Sequence, residues 1–498
     1  MLIINHLNIT TLKGRALLKD FSFVLNDHEK IALIGEEGNG KSTLLKVIAG
    51  IDTGNYVNVE GEIIRKGKIS YMPQHIDPAE MEEEVISYLC KEDMDYKKIY
   101  HLFSDLHIDS DLLNRKIKQL SGGEKVRISL AKILYEDADI LLLDEPTNDI
   151  DLKTLLWLED YIQSSEKSIL FVSHDEQLLK NCAQGLLHLE QLKRKSEAKT
   201  HFARQSYDDY ISERSHLIQR NNQISRKEHS QFHAQLERYA KIYQKVEQQQ
   251  RSISRQDPHG GQLLKKKMHS LKAQGRRMED KERNLTEKIE PEEAIHIYFE
   301  DVDLPASKVV LDLHLSELKA GDKLLSRNID LYMTGGEKAC IIGENGTGKT
   351  SLLRHIWEEM KDRKDLSVGY MPQNYEEVLD YSQSPIAILQ EAGDDRTKAQ
   401  NILGSLKFST EEMSHPIKEL SQGQICKILL AKLILEKRNV LLMDEPSRNL
   451  SPLSNPELRK ILIDFKGAVL FVSHDRSLIE EVSDHIYELS EKGLKKIQ

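Results

Sequence analysis

The hydrophobic and polar positions of this chain follow one pattern near both ends and a different one in the middle. Residues 31–34 form a short apolar run typical of a buried strand, and residues 42–49 after it have the spacing of a helix. The same succession returns at residues 340–342 and 351–357. Strands that alternate with helices predict a parallel sheet flanked by helices in each end part, an α/β fold.

The middle of the chain has the pattern of two long helices. Apolar residues recur at helical spacing from Tyr207 to Val246, and after a break they recur at positions 264, 271, 278 and 285, seven residues apart. The break, residues 257–261, is rich in turn-forming residues. We therefore predict an antiparallel helical hairpin whose first helix, at 1.5 Å per residue, spans ~69 Å. The predicted organisation is a first domain at 1–190, a hairpin linker at 191–290 with its tip at about 253–263, and a second domain at 291–498.

Four short motifs occur twice in the same order. Three of them repeat at one offset of 300 residues, as Ser121 and Ser421 or Asp144 and Asp444 illustrate, which indicates a duplicated domain. The four pairs are Gly35-Glu-Glu-Gly-Asn-Gly-Lys41-Ser42 with Gly343-Glu-Asn-Gly-Thr-Gly-Lys349-Thr350, Leu120-Ser-Gly-Gly-Glu124 with Leu420-Ser-Gln-Gly-Gln424, Leu142-Leu-Asp144-Glu145-Pro146 with Leu442-Met-Asp444-Glu445-Pro446, and Phe171-Val-Ser-His174-Asp175 with Phe471-Val-Ser-His474-Asp475.

The first pair of motifs has the spacing of a phosphate-binding P-loop, placed after a strand and before a helix. Its glycines let backbone N–H groups approach phosphates, its lysine meets the β- and γ-phosphates, and its Ser or Thr hydroxyl binds Mg²⁺. The cofactors predicted are therefore ATP and Mg²⁺. The candidate ATP-binding residues are Gly35, Gly38, Gly40, Lys41, Ser42, Thr43, Gly343, Gly346, Gly348, Lys349, Thr350 and Ser351.

The remaining motifs supply candidates for hydrolysis. Asp144 and Asp444 each end an apolar run, which places a carboxylate at a strand tip, where it can bind the metal. The glutamate that follows can orient or deprotonate the attacking water, and such help is worth ~10²–10⁴ in rate. The histidine after a later apolar strand is a candidate γ-phosphate sensor, and the glutamine of each Tyr-Met-Pro-Gln segment suits Mg²⁺ or the water. The candidates are Glu145, Glu445, His174, His474, Gln74 and Gln373 for catalysis, and Ser42, Asp144, Thr350, Asp444, Gln74 and Gln373 for Mg²⁺.

This order of motifs resembles the ATP-binding cassette (ABC) ATPases. Two cassettes with a long charged hairpin between them, and no membrane segment, resemble the ABC-F group of translation proteins. The resemblance implies that the cassettes of one monomer close on two ATPs and hydrolyse ATP to ADP and phosphate. It further implies that each site joins the P-loop of one cassette to the Ser-Gly-Gly segment of the other. These segments are Ser121, Gly122 and Gly123 in the first cassette and Ser421 and Gly423 in the second.

Charge is distributed unevenly along the chain. The net charge is −11, yet residues 191–290 hold 23 Lys and Arg against 13 Asp and Glu, so this segment carries +10. A basic insert between acidic domains indicates a polyanionic partner, although a solvated charged helix pair has the same composition. The resemblance names that partner as the ribosome, with the hairpin on large-subunit rRNA near the peptidyl-transferase centre, beside P-site tRNA. The candidate RNA-binding residues are Arg251, Arg255, Lys265, Lys266, Lys267, Arg276 and Arg277.

No stretch approaches the ~18 apolar residues of a membrane helix, and the N-terminus lacks the pattern of a signal peptide, so we expect a cytoplasmic protein without a membrane partner. The motif Leu420-Ser-Gln-Gly-Gln424 and residues 255–267 and 445–455 resemble ABC-F members that resist pleuromutilins, lincosamides and group A streptogramins. The alternatives are a housekeeping ABC-F translation factor, the ATPase subunit of a transporter, and a DNA-repair or chromosome-type ATPase. Gln422 and Ser451 stand where the first cassette has Gly122 and Asp151, and these departures predict slower hydrolysis at the Lys41 site.

Overall fold

The computed structural model describes residues 1–90, 95–148, 150–191, 197–252, 258–289, 302, 304–321, 323–393 and 395–498. They form two compact units, one of Met1–Tyr207 with Glu292–Gln498 and one of Asp208–Pro291. The first unit contains both cassettes, and the second contains the hairpin. No helix among the described residues is long and apolar enough to cross a bilayer.

The first cassette is built around strands whose apolar residues are buried on both faces. Its elements are β1 (Leu2–Thr11), β2 (Ala16–Leu25), β3 (Lys30–Ile34), α1 (Lys41–Ala49), β4 (Val57–Arg65), β5 (Ile69–Met72), α2 (Val85–Leu89), α3 (Tyr96–Asp105), α4 (Gly122–Tyr135), β6 (Ile140–Asp144), α5 (Leu152–Ser164), β7 (Ser168–Val172), α6 (Glu176–Cys182), β8 (Gly185–Gln191) and β9 (Glu197–Ala203), with 3₁₀ turns at Glu80–Glu82, Ser110–Asn114 and Ile117–Gln119. The main sheet has the order β5-β6-β7-β3-β8-β9, and β2-β1-β4 form a separate antiparallel sheet.

The main sheet brings the carboxyl ends of β3, β6 and β7 to one edge, because these strands run parallel to each other. All three are buried along their whole length. The last strand, β9, pairs antiparallel with β8 and lies beyond residue 190, where the sequence predicts that the domain ends. The hydrophobic pattern does not predict this short strand, because the segment directly before it is charged.

The second cassette repeats the plan. Its elements are β10 (Val309–Ala320), β11 (Lys323–Thr334), β12 (Lys338–Ile342), α9 (Lys349–Met360), β13 (Val368–Met371), α10 (Pro385–Gly393), α11 (Arg396–Ser405), α12 (Thr410–Ser414), α13 (Gln422–Leu435), β14 (Val440–Asp444), α14 (Asn455–Asp464), β15 (Ala468–Val472), α15 (Arg476–Val482), β16 (His485–Ser490) and β17 (Gly493–Lys496), with 3₁₀ turns at Tyr375–Glu377 and Ile417–Glu419. The sheet order β13-β14-β15-β12-β16-β17 matches that of the first cassette, so the predicted pair of α/β ATPase domains is confirmed.

Two helices form the hairpin unit, α7 (Tyr207–Ser252) and α8 (Pro258–Arg283). They pack through Val246, Met268 and Leu271, which are at most 8% exposed. The prediction of a tip at 253–263 needs correction, because α8 already includes 258–263. Proline is tolerated in the first turn of a helix, where its missing N–H has no intrahelical partner. Residues 253–257, and with them Arg255, lie outside the described residues.

The apolar residues of α7 do not all lie on the face that packs against α8. Leu217, Ile224, Leu236 and Ile242 are between 41% and 58% exposed, although their spacing predicts burial in the hairpin. The helix α8 is short, so it covers only one face of α7. Position 271 of the predicted seven-residue repeat is buried, as is position 278.

Candidate nucleotide sites

A glycine-rich turn joins β3 to α1 in the first cassette. Gly35 has φ +146°, and a Cβ there would lie 2.3 Å from the carbonyl oxygen of Leu189, so no larger residue fits. The helix α1 begins at Lys41, directly after Gly40. Lys41 Nζ donates to the carbonyl oxygen of Gly35 at 2.7 Å, which folds the side chain back over the turn. Backbone N–H groups at such a helix start can bind phosphate.

The second cassette builds the same turn between β12 and α9. A Cβ on Gly343, whose φ is +153°, would lie 2.4 Å from the carbonyl oxygen of Leu489. Lys349 Nζ donates to the carbonyl oxygens of Gly343 and Glu344, at 2.8 and 2.9 Å. The other predicted phosphate-binding residues are in the same two turns and the first helical turns after them: Gly38, Gly40, Ser42, Thr43, Gly346, Gly348, Thr350 and Ser351.

The predicted Mg²⁺ ligands of the first cassette lie in contact. Ser42 Oγ donates to Oδ1 of Asp144 at 3.1 Å, at the end of β6. Tyr71 donates its phenol to Oδ2 of the same carboxylate at 3.0 Å, a contact that the sequence does not reveal. Burial and the neighbouring Glu145 raise the pKa of Asp144 to about 6. A hydroxyl beside a carboxylate with a raised pKa fits a divalent cation, which prefers oxygen ligands and stabilises the charged form.

The second cassette pairs Thr350 with Asp444 in the same way. Here, however, Oδ2 of Asp444 is buried and has no hydrogen-bond partner among the described residues. An orphaned carboxylate oxygen inside a protein is costly unless a partner satisfies it. The residues at this site therefore fit Mg²⁺, which when bound to ATP would neutralise phosphate charge beside Lys349. The predicted metal-binding carboxylate therefore has one oxygen without a hydrogen bond from the described residues in the second cassette, whereas Tyr71 donates to the corresponding oxygen in the first.

The two glutamates that follow the strand-end aspartates share an unusual backbone. Glu145 has φ +53° and Glu445 φ +50°, in the left-handed region that side-chain-bearing residues seldom adopt. Each backbone N–H is bound to the neighbouring strand, Glu145 to the carbonyl of Val172 and Glu445 to that of Val472. Strain of this kind costs about 1–3 kcal/mol and persists where the surrounding structure fixes it. Both carboxylates are thereby held at the edge of the sheet, beside the P-loops.

The partner of each glutamate differs between the cassettes. His174 Nε2 lies 2.8 Å from Oε1 of Glu145, and its Nδ1 contacts the carbonyl of Leu450 in the other cassette. Burial opposes ionisation of both groups, but their mutual attraction dominates, so the pKa of Glu145 is lowered and that of His174 is raised. An imidazole that donates from both nitrogens is a cation. The first cassette therefore holds a histidine–glutamate ion pair.

In the second cassette this ion pair is not formed. His474 Nε2 is 3.8 Å from Oε1 of Glu445, beyond hydrogen-bond distance. Burial and Lys349 lower the pKa of His474 to about 4. Burial and Asp444 raise the pKa of Glu445 to about 8. The two predicted catalytic glutamates thus have opposite environments.

A large cavity opens beside Lys349, about 1030 Å³ in volume. Its walls come from both cassettes, because Ser121, Gly122, Gly123 and Asp151 of the first face the P-loop of the second. The predicted residues Lys349, Thr350, Gln373, Asp444, Glu445 and His474 line its other side. The structure therefore brings together, in one cavity, the residues that the sequence predicts for a composite ATP site.

The cavity beside Lys41 is smaller, about 310 Å³. Lys41, Ser42, Thr43, Gln74, Glu145 and His174 line it from the first cassette. Arg448 and Asn449 are its lining residues from the second cassette among those described, and Ser421 and Gly423 are not part of the wall. Instead, the N–H of Gly423 donates to Oε2 of Glu37 at 2.5 Å. The segment Ser421–Gly423 of the second cassette is thus in contact with the first P-loop through the side chain of Glu37.

Two ion pairs with little exposure join the cassettes at α14 and α15. Arg459 of α14 donates to both carboxylate oxygens of Glu176 at 2.8 and 3.2 Å, and both side chains are at most 7% exposed. Arg476 of α15 binds Glu159 of α5 in the same way. The pair of Lys153 with Glu344, at 2.8 Å, also joins the cassettes but is exposed.

Several residues at the sites escaped the sequence analysis. Tyr56 lines the Lys41 cavity and supplies an aromatic ring. Arg448 lines both cavities, and so do Asn148 and His174. The offset of 300 residues was the available signal for Arg448, since it aligns this cation with the neutral Asn148.

The predicted RNA-binding residues belong to the hairpin unit. Lys265, Lys266, Lys267, Arg276 and Arg277 are exposed on α8. Arg251 near the end of α7 is also exposed and pairs with Glu247 at 2.7 Å. These five predicted cations of α8 lie away from Met268 and Leu271, which occupy its packed face.

The family model described as "ABC transporter" matches residues 18–148 and 326–448, which together exceed half of the chain. The chain is 29% identical to the ribosome protection protein VmlR of Bacillus subtilis (strain 168), covering 97% of this chain and 86% of VmlR. It is 28% identical to the ATP-binding protein Uup of Buchnera aphidicola subsp. Acyrthosiphon pisum (96% and 78% covered). It is 25% identical to the ABC transporter F family member 5 of Arabidopsis thaliana (97% and 74% covered).

Among solved structures, the chain resembles the archaeal ribosome recycling factor aABCE1, determined with the ribosomal stalk protein aP1. The TM-score is 0.62 at 18% identity, and the match covers 96% of this chain and 88% of aABCE1. At this identity the likeness shows a shared fold of two cassettes.

Proposed function

Because the chain belongs to the ABC transporter family and is a tandem ABC ATPase of the ABC-F group, we propose that it hydrolyses ATP to control its own binding to the ribosome. The observation that carries this proposal is the cavity beside Lys349, which combines the P-loop of one cassette with Ser121–Gly123 of the other. A site shared between two cassettes assembles only when they close. Nucleotide binding and closure are therefore coupled by construction.

We further propose that the hairpin is the part that binds rRNA. Its exposed cations sit on a unit distinct from the cassettes, and the segment 191–290 carries a net +10 in a chain of net −11. Lys and Arg contacts to phosphates release counterions, which supplies affinity without sequence readout. The resemblance of the tip to resistance members, together with the similarity to VmlR, supports insertion toward the peptidyl-transferase centre from the tRNA exit side.

In this proposal the protein protects the large subunit from antibiotics of the peptidyl-transferase centre. The test is expression in a sensitive host, followed by susceptibility to a pleuromutilin, a lincosamide and a group A streptogramin. We expect resistance from the natural chain and none from a variant with both Lys41→Ala and Lys349→Ala. Susceptibility unchanged by the natural chain, at verified expression, contradicts the protective role.

The similarity to Uup and to F family members favours a second candidate, a translation factor without a role in resistance. Co-sedimentation with ribosomes under a non-hydrolysable ATP analogue supports both candidates and opposes a transporter subunit or a DNA-repair ATPase. Antibiotic susceptibility after expression in a sensitive host then separates the two, and deletion of residues 253–257 tests the role of the tip. Under the protective role, the shortened protein loses resistance but keeps ribosome binding and its melting temperature. Full resistance in that variant would show that the tip is a passive turn.

A further inference from the structure

The helix after each Ser-Gly-Gly or Ser-Gln-Gly segment carries a cation one turn into the helix, but the partner of that cation differs. In the first cassette Arg127 lies 3.2 Å from Asp151, and both side chains are less than a fifth exposed. Asp151 also caps α5 by accepting from the N–H of Thr154 at 2.9 Å. This pair lies within one cassette. An offset of 300 residues leads from Arg127 to Lys427 and from Asp151 to Ser451, so the second cassette has no carboxylate for its cation at that position.

The missing carboxylate is supplied by the other cassette. Oε2 of Glu36, the residue after the first P-loop glycine, lies 3.2 Å from Nζ of Lys427. Oε1 of the same carboxylate accepts from the hydroxyls of Ser451 and Ser454. Glu36 is 13% and Lys427 6% exposed at the side chain. Burial raises the pKa of Glu36, but Lys427 and the hydroxyl donors outweigh it and lower that pKa to about 2, so the carboxylate is charged.

The equivalent P-loop glutamate of the second cassette has a different environment. Glu344 binds Lys153 at 2.8 Å, and these side chains are 66% and 71% exposed. Water screens such a pair, whereas a buried pair with additional hydrogen bonds is strongly coupled. The two sides of the interface are therefore held by contacts of unequal strength.

We propose that Glu36 is a positioning residue that replaces, from the opposite cassette, the carboxylate that position 451 lacks. It holds the start of α13 against the first P-loop and closes the Lys41 side of the interface more tightly than the Lys349 side. This inference rests on the proposed function only in requiring that the two cassettes close on ATP. In this proposal the hydroxyl of Ser451 has a role of its own, because it donates a hydrogen bond to Glu36. The absence of a carboxylate at position 451 is then not a defect of the site.

The two meanings of Ser451 predict opposite effects of Ser451→Asp. If Ser451 is a defect, the introduced carboxylate repairs the site. If Glu36 already binds Lys427, the second carboxylate repels Glu36 and opens the Lys41 side. Combining Ser451→Asp with Glu36→Gln removes the repulsion and recreates the pair that Arg127 makes with Asp151. The double variant should therefore recover closure.

Hydrogen–deuterium exchange of the full chain with ATP and Mg²⁺ measures each side separately. The protein carries Glu145→Gln and Glu445→Gln so that it stays closed, and amides of residues 421–428 are compared with those of residues 121–128. We expect Ser451→Asp to speed exchange at 421–428 at least tenfold and the double variant to return it to within threefold. Residues 121–128 should change less than threefold, and Glu344→Gln should leave both segments unchanged.

Unchanged or slower exchange at 421–428 in the Ser451→Asp variant overturns the proposal. Equal acceleration in both segments also overturns it, because a general loss of packing does not distinguish one side. The measurement uses neither ribosome nor antibiotic. Failure of the positioning role and failure of ribosome protection are therefore observed independently.

Discussion

The unequal partners of Glu145 and Glu445 predict unequal hydrolysis at the two sites. Before Glu145 can accept a proton from water, its hydrogen bond with the charged His174 must weaken, and a hydrogen bond to a charged group contributes about 1.5–3 kcal/mol. Since ~1.4 kcal/mol corresponds to a factor of ten, the Lys41 site should turn over about 10- to 150-fold more slowly than the Lys349 site. Glu445 forms no such ion pair, because Nε2 of His474 is 3.8 Å from its carboxylate, and its pKa of about 8 makes it the stronger base, near the operating pH that suits a general base.

The perturbations are Glu445→Gln and Glu145→Gln, which keep the size of the side chain and remove its basicity. Glu445→Gln should abolish at least about nine tenths of the steady-state ATPase rate, whereas Glu145→Gln should cost about a tenth or less, as the ratio of site rates requires. Because the sites share one interface, their steady-state contributions are not independent. Single-turnover hydrolysis isolates them, since each single variant reports on the site that remains intact. Equal single-turnover rates, or a faster rate at the Lys41 site, would refute the reasoning.

Three further predictions concern the interface and the hairpin. Arg459→Leu leaves the buried carboxylate of Glu176 without its partner, so it should lower the free energy of unfolding by about 3–5 kcal/mol and reduce the melting temperature. Lys153→Met at the exposed pair should cause no resolvable change. Equal effects of the two substitutions would contradict the role of burial. Replacing residues 265–267 by glutamine should weaken ribosome binding and retain ATP binding. The slope of log affinity against log salt concentration should become shallower by about 2–3, because three phosphate contacts are lost. An unaltered slope would rule out phosphate contacts there. Leu271→Ala should destabilise the hairpin by about 2–5 kcal/mol and speed amide exchange in α8 but not in the cassettes; a global change would disprove local packing.

The sequence predicts those parts of the sites that lie close together along the chain. The P-loops follow from glycine spacing, because only a few residues between a strand and a helix determine that turn. The strand-end carboxylates follow from the apolar runs before them. The two-cassette architecture follows from the repeat, and the family comparison supports it.

Contacts that depend on tertiary packing could not be read in this way. Tyr71 reaches Asp144 from an adjacent strand 73 residues away in sequence, and no local pattern records that adjacency. The partner of Lys427 lies 391 residues away. Position 451 is the clearest example. The sequence shows only that Ser451 lacks the carboxylate of Asp151, whereas the structure places the carboxylate of Glu36, from the opposite cassette, beside it.

The buried ion pairs between the cassettes have a consequence for which surfaces can meet. An offset of 300 residues relates Glu159 to Arg459 and Glu176 to Arg476, so the first cassette carries two acids where the second carries two bases. Two first cassettes facing each other would oppose acid with acid, and two second cassettes would oppose base with base, each without water to screen the charges. The charges of these residues therefore favour pairing of a first cassette with a second cassette over pairing of two identical cassettes. Because the chain itself tethers the unlike half at high effective concentration, we expect the two cassettes of one molecule to pair with each other rather than with those of another copy.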